Sequence, residues 1–177
     1  MTDRNRQTDR TPVTLTGRER LLIASLLFHA AMGLCIGWKV YWFLTDDAYI
    51  GFRYVSNAWR GVGYAWNPPP FLPVEGYTCF LWLALLQGVW WCTGVAPPES
   101  ANVLSLVFSY LTLVTSSVIL LRLEWAPRLR PWRAGFVALL LAFLLLNRSF
   151  LMWTSWGLET ALFCFLVAEW ISSTTLP

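Results

Sequence analysis

Residues 21–44, LLIASLLFHAAMGLCIGWKVYWFL, run directly into residues 45–67, TDDAYIGFRYVSNAWRGVGYAWN. The first stretch carries one lysine and no acid over 24 residues. At about 1.5 Å per residue it is long enough to cross a hydrocarbon layer of about 30 Å. It exceeds the apolar length of a secretory signal, and no small-x-small cleavage site follows, so it reads as an uncleaved anchor. The second stretch opens on two acids, Asp46 and Asp47, at the membrane boundary. Carboxylates there are costly to keep and mark a functional site by default. Asp46, Arg53, Asn57 and Arg60 follow at helical spacing along one stripe, with Ala48, Phe52, Val55 and Trp59 along the opposite one. The pattern predicts a short amphipathic helix over 46–60, lying on the bilayer surface with its acids at the favourable end of the helix dipole. The spacing alone also admits a solvated loop.

Working outward, 56% of the 177 residues are hydrophobic and only 13% are charged, against roughly 25% charged in soluble domains. The composition is that of a membrane protein. Of thirteen Lys and Arg, five (Arg4, Arg6, Arg10, Arg18, Arg20) form a basic tail over 1–20, and four (Arg122, Arg128, Arg130, Arg133) crowd one short loop. The net charge of +3 is thus a topology signal. No cluster of cations on a water-facing surface suggests nucleic acid as a partner. One lysine against twelve arginines fits a bacterial chain of GC-rich coding. Cys35 and Cys164 sit in apolar runs as small hydrophobes. Cys79 and Cys92 would lie about 20 Å apart on one helix, beyond disulfide reach. His29, alone in the first span, is expected to be buried there and to hydrogen-bond a neighbouring helix.

The apolar segments are 21–44, 77–93, 101–121, 134–152 and 158–172. Five crossings from a cytoplasmic N-terminus would put the Arg122–Arg133 loop outside, against the positive-inside bias. The segment 77–93 is the one expected not to cross. It is short, interrupted by Gln87-Gly88, rich in interfacial aromatics, and flanked by PPPFLP and VAPPES. An all-α polytopic membrane protein follows, with four spans (21–44, 101–121, 134–152, 158–172) in a bacterial plasma membrane. The outer region 45–100 carries two juxtamembrane helices, about 46–60 and 77–93, and a net charge of −2. The same topology puts Glu159 on the outer face with the Asp pair.

Three ordered motifs then carry a resemblance: Asp46-Asp47-Ala48-Tyr49-Ile50 with Arg53-Tyr54, Asn57, Gly61-x-Gly63 and Asn67; Val74-Glu75-Gly76-Tyr77-Thr78 with Trp82; and Thr154-Ser155 with Gly157-Leu158-Glu159. The chain resembles the N-terminal part of the GT-C glycosyltransferases, polytopic enzymes whose donors are polyprenyl-phosphate sugars. The likeness is to bacterial members similar to the mycobacterial terminal arabinofuranosyltransferase and to dolichyl-phosphate-mannose mannosyltransferase-like proteins, and it covers about residues 20–170. The resemblance implies a catalytic base in the first acidic motif, a second acid in the next outer loop, and a glycan or lipid acceptor in the cell envelope. Two departures stand out. Related sequences carry Gly-Glu-x-Val-Glu where this chain has Pro69-Pro70-Phe71-Leu72-Pro73-Val74-Glu75, and they are much longer, with more spans. Turnover is accordingly expected only with further helices supplied in cis or in trans.

Transfer from a lipid phosphate needs a base within hydrogen-bond reach of the acceptor hydroxyl and stabilisation of the departing phosphate. Asp46, first in its motif, is assigned as base. Asp47 orients it or, with Glu159, offers a divalent-cation site. The bland alternative is that one of the pair N-caps the helix. Arg53 suits a bidentate grip on phosphate, and Arg60 either that or charge balance. Asn57, Glu75, Tyr77 and Glu159 complete the expected substrate-binding set, although Glu75 and Glu159 at helix starts are stabilised by the dipole alone. Tyr49, Trp66 and Trp153 are candidates to stack on a sugar. Lys39 and Glu169, inside spans, are expected to snorkel or pair across helices. The reading from another class is a non-catalytic four-span protein, a remnant or accessory subunit that keeps the motifs by descent.

Overall fold

The computed structural model describes residues 15–72, 74 and 76–175. Among these residues every regular element is helical: α1 (Gly17–Val40), α2 (Asp46–Trp59), α3 (Phe80–Thr93), α4 (Pro97–Arg122), a 3-10 turn (Arg130–Trp132), α5 (Arg133–Leu146), α6 (Arg148–Trp153) and α7 (Thr160–Thr175). The basic tail over 1–14, Pro73 and Glu75 lie outside the described residues. α1 and α4, with 24 and 26 residues, are long and apolar enough to cross a membrane. α3 and α7 are shorter apolar helices.

Local chemistry explains where the elements start. Thr16 and Glu19 form a reciprocal capping box at the head of α1, each side chain bonding the other residue's backbone N–H. Thr45 caps α2, its Oγ1 accepting from Ala48 N at 3.3 Å. α4 begins on Pro97, where a missing N–H costs nothing.

Side-chain contacts set the direction of the long helices. Arg133 makes a two-pronged ion pair with Glu19, at 2.8 and 2.9 Å, joining the start of α5 to the start of α1. At the opposite end of α1, Trp38 Nε1 donates to Asn102 O at 3.1 Å, near the start of α4. α4 and α7 run in parallel, with Ser105 near Leu158 and Thr115 Oγ1 donating to Glu169 Oε1 at 2.6 Å. One end of the bundle therefore gathers the start of α1 and the arginine loop. The other gathers α2, α3, the start of α4 and residues 154–159. A core of Ile23, Ala30, Leu34, Leu113, Leu121, Val137 and Leu141 lies between the long helices. A second, around Phe52, Tyr54, Val55, Trp82, Leu83, Leu86 and Leu162, lies under α2 and α3.

Four expectations need correction. The single segment 134–152 is two helices, α5 and α6, broken at Asn147. Its extended backbone leaves the helix, and its Oδ1 caps α6 by accepting from Phe150 N at 3.1 Å. α1 stops at Val40 rather than Leu44, so Tyr41–Leu44 approach the site as irregular chain. His29 is exposed, and its Nδ1 bonds Ser25 O of its own helix at 2.7 Å rather than a neighbour. Finally, α2 does not rest its apolar stripe on lipid. Ala48, Phe52 and Val55 are buried against α3 and α4, because that stripe finds protein to pack on.

Candidate functional site

The head of α2 and the stretch 154–159 lie side by side. Phe43 N and Thr45 N donate to Ser155 O and Trp156 O, both at 3.4 Å, and Ser155 Oγ donates to Tyr41 O at 2.7 Å. Thr154 is anchored behind them by a hydroxyl contact to Ser109 at 3.0 Å. The chain then turns at Gly157, whose φ of +77° is ordinary only for glycine. Its carbonyl accepts from Trp82 Nε1 of α3 at 3.2 Å. A methyl group there would meet Leu44 at 2.6 Å and Ala48 at 3.4 Å. Three separate parts of the chain, 44–48, Trp82 and Asn102, thus converge on one glycine, and Glu159 follows two residues later.

That convergence brings Asp47, Cys79, Gly157 and Glu159 to the wall of one cleft, floored by Phe52, Trp82 and Leu83. The cleft measures about 20 Å³, room for about one water and not for a sugar ring. Asp46 is exposed at the first position of α2 and is not among the lining residues. Neither acid caps the helix, since Thr45 does. Burial pushes the Cys79 thiol above its usual range, and the neighbouring Glu159 carboxylate adds to the effect. Cys79 was missed from sequence because nothing local to it signals Glu159. Asn102, 1% exposed, sits behind Gly157 with no hydrogen-bond partner for its side-chain amide among the described residues.

Arg53 and Asn57 have another task. Arg53 Nε and Asn57 Nδ2 both donate to Trp66 O, at 3.0 and 3.1 Å, and Asn57 Nδ2 also reaches Ala65 O at 2.7 Å. Arg53 Nη2 bonds Asn67 Oδ1 at 3.3 Å, and the guanidinium lies 4.2 Å over the Trp66 ring. Arg53 and Asn57 of the polar stripe of α2 are therefore tied to its own following loop, Asn57 buried beneath it while Asp46, Arg53 and Arg60 stay exposed. Tyr77 packs edge-on against Tyr54 at 4.8 Å, and Tyr54 Oη donates to Val74 O at 3.0 Å. Tyr64, bonded to Gln87, and Phe80 complete this aromatic cluster. Glu75 belongs to the same loop but lies outside the described residues.

Arg53 remains exposed, and a second, open cleft of about 360 Å³ runs beside it, lined by Tyr49, Phe52, Trp90, Pro97 and Pro98. Its lining is apolar except for Arg53, Ser56 and the hydroxyl-bearing Tyr49, and it is large enough for a small organic group. Spacing within α2 could not reveal it, since half its wall comes from α3 and α4. Trp59, expected on the apolar stripe, stacks on Trp90 at 4.6 Å near this cleft. Among the described residues no three His, Cys, Asp or Glu side chains form a cation-binding set. Two carboxylates, Asp47 and Glu159, share one cleft. No family model, curated protein or solved structure matches the chain.

Proposed function

We propose that this chain is the N-terminal catalytic module of an integral membrane glycosyltransferase of the GT-C kind, working on the outer face of a bacterial plasma membrane. The observation that carries the reading is the meeting of Asp47 and Glu159, from two of the three motifs, beside Cys79 and Trp82 at one end of the helical bundle. Four helical columns would cross the bilayer: α1, α4, α5 continued by α6, and α7. α5 and α6 together cover 133–153, about 30 Å end to end, which suits a bilayer core. α3, with 14 residues or about 21 Å, would lie with α2 at the outer surface. The four arginines from Arg122 to Arg133 and the N-terminus then share the cytoplasmic side, in keeping with the positive-inside bias.

In the reaction the acceptor hydroxyl loses its proton to a carboxylate of the Asp pair and its oxygen bonds the anomeric carbon of the sugar. The bond from that carbon to the lipid phosphate breaks, and polyprenyl phosphate leaves with the electron pair. Motif order assigns the base to Asp46, while the cleft wall favours Asp47. Exposed Arg53, held against Trp66 and Asn67, offers its charge to the phosphate at the mouth of the larger cleft. Asp47 and Glu159 would hold a divalent cation together with substrate phosphate, supplying charge neutralisation for the leaving group. A second reading, a non-catalytic membrane subunit, is favoured by the small size of the carboxylate cleft.

The test measures sugar transfer from a polyprenyl-phosphate donor in membranes, with further helices supplied where the chain's own genome encodes them. Asp46→Asn and Asp47→Asn should both insert normally, and the variant lacking the base should lose activity at least about 100-fold. Full activity in both variants would remove the Asp pair from the chemistry and leave the subunit reading.

A further inference from the structure

Two ionisable side chains lie on outward-facing surfaces in the middle of the helical columns. His29 shares an exposed stripe of α1 with Ser25, Met32 and Ile36. Glu169 shares an exposed stripe of α7 with Leu166, Trp170 and Ser173. Scattered apolar side chains facing lipid need no explanation, but an imidazole and a carboxylate there do. The two helices are not neighbours in the chain's own bundle, where α7 packs on α4 and α1 packs on α4, α5 and α6.

We propose that a second copy of this chain, side by side in the same orientation, covers these faces by packing α1 of one copy against α7 of the other, with His29 bonded to Glu169. The proposal rests on the membrane-spanning reading above, and not on sugar transfer.

Depth supports the pairing. Helices of two copies in one bilayer meet only at equal depth, so partners must match along the membrane normal. His29 stands eleven residues before the end of α1 at Val40, about 16 Å from the outer end. Glu169 stands nine residues after the start of α7 at Thr160, about 14 Å from the same end. Each side chain tilts toward the start of its own helix, so His29 leans inward and Glu169 outward, an offset that two extended side chains span.

The hydrogen-bonding valences are complementary as well. Ser25 O can only accept, so Nδ1 of His29 carries the proton and Nε2 of the neutral ring is left as an acceptor. Glu169 Oε1 is engaged by the Thr115 hydroxyl, which leaves Oε2 for a partner. A protonated Oε2 donating to Nε2, or a carboxylate accepting from a doubly protonated ring, satisfies both groups and removes two lone polar atoms from lipid.

The test uses two differently tagged full chains co-expressed in membranes, with Cys35, Cys79, Cys92 and Cys164 replaced by alanine. One copy carries Met32→Cys and the other Leu166→Cys, one turn from His29 and Glu169 on their stripes. Oxidation should yield a disulfide-linked product bearing both tags. Adding His29→Leu to the first copy and Glu169→Leu to the second should cut its yield at least about fivefold, a loss consistent with about 1 kcal/mol for an intramembrane hydrogen bond. A linked product whose yield ignores both leucines, a monomer only, or a product of foreign mass would each overturn the pairing. Carbonate extraction of the same membranes separates this failure from the other: a chain that washes off the membrane sinks the spanning reading itself.

Discussion

Gly157 and Gly61 share a left-handed backbone, φ +77° and +81°, but not their surroundings. Around Gly61 a methyl group would meet nothing within 4 Å, whereas at Gly157 it would meet Leu44 at 2.6 Å. Gly61→Ala should therefore cost only the backbone term, about 1 kcal/mol. Gly157→Ala adds a clash and should cost about 3 kcal/mol in all, measured by unfolding in detergent micelles. Equal losses would mean that the 154–159 stretch can move away from α2. Cys79 offers a check on the site itself. Glu159 adds to the rise of the thiol caused by burial, so Glu159→Gln should bring it down and raise the thiolate fraction at a given pH. Alkylation of Cys79 should then be faster in the variant across the mildly alkaline range, and an unchanged rate would separate the two side chains. At this scale the acids Asp47 and Glu159 of the candidate cleft stood out, because acids are rare in so apolar a chain, but the choice of Asp46 over Asp47 did not follow from it. The task of Asn57 was not: its spacing suggested water or sugar, and only the return of residues 61–66 showed a buried amide holding a loop.

Among the elements, α2 was visible in its periodicity, while the break between α5 and α6 was not. Asn147 sits between Leu146 and Arg148 in a segment whose hydropathy runs on to Trp153, so an average over the window passes through it. The asparagine stops α5 and starts α6 by offering Oδ1 to Phe150 N. Asn147→Ala should lower stability by about 1 kcal/mol, with faster hydrogen exchange confined to the first turn of α6. Unchanged exchange would show that packing alone holds α6. The polar stripe of α2 carries the same lesson. Period identifies two faces but not what each face meets, and here one meets α3 and the other its own loop.

At the scale of the whole molecule, the Glu19–Arg133 pair ties the start of α1 to the start of α5, with Arg133 only 4% exposed. Removing Glu19 alone takes the carboxylate away from a buried guanidinium. Arg133→Met with Glu19→Gln should therefore be less destabilising than the sum of the two single changes, by about 1–3 kcal/mol in a double-mutant cycle. Additive losses would make the pair incidental. The crossing pattern is checked by outside labelling of introduced cysteines: positions near Pro69 and Pro97 should react and those near Pro127 should not. Reaction near Pro127 would move the arginine loop outside and, because Asp47 and Glu159 share one cleft at the opposite end of the bundle, carry both acids to the cytoplasmic side.

The helical class, the two long apolar helices and the order of segments were determined by the sequence itself, because hydropathy, helical period and charge asymmetry are properties of adjacent residues. Thr16, Thr45 and Pro97 likewise mark helix starts through bonds that span a few residues. Only the tertiary structure decided that Asp47 rather than Asp46 lines the cleft, that Cys79 lies against Glu159, and that Arg53 and Asn57 hold the 61–67 loop. Each of these rests on contacts between residues far apart in the chain. Their geometry depends on how α2, α3, α4 and the Gly157 turn pack together, which no local pattern encodes.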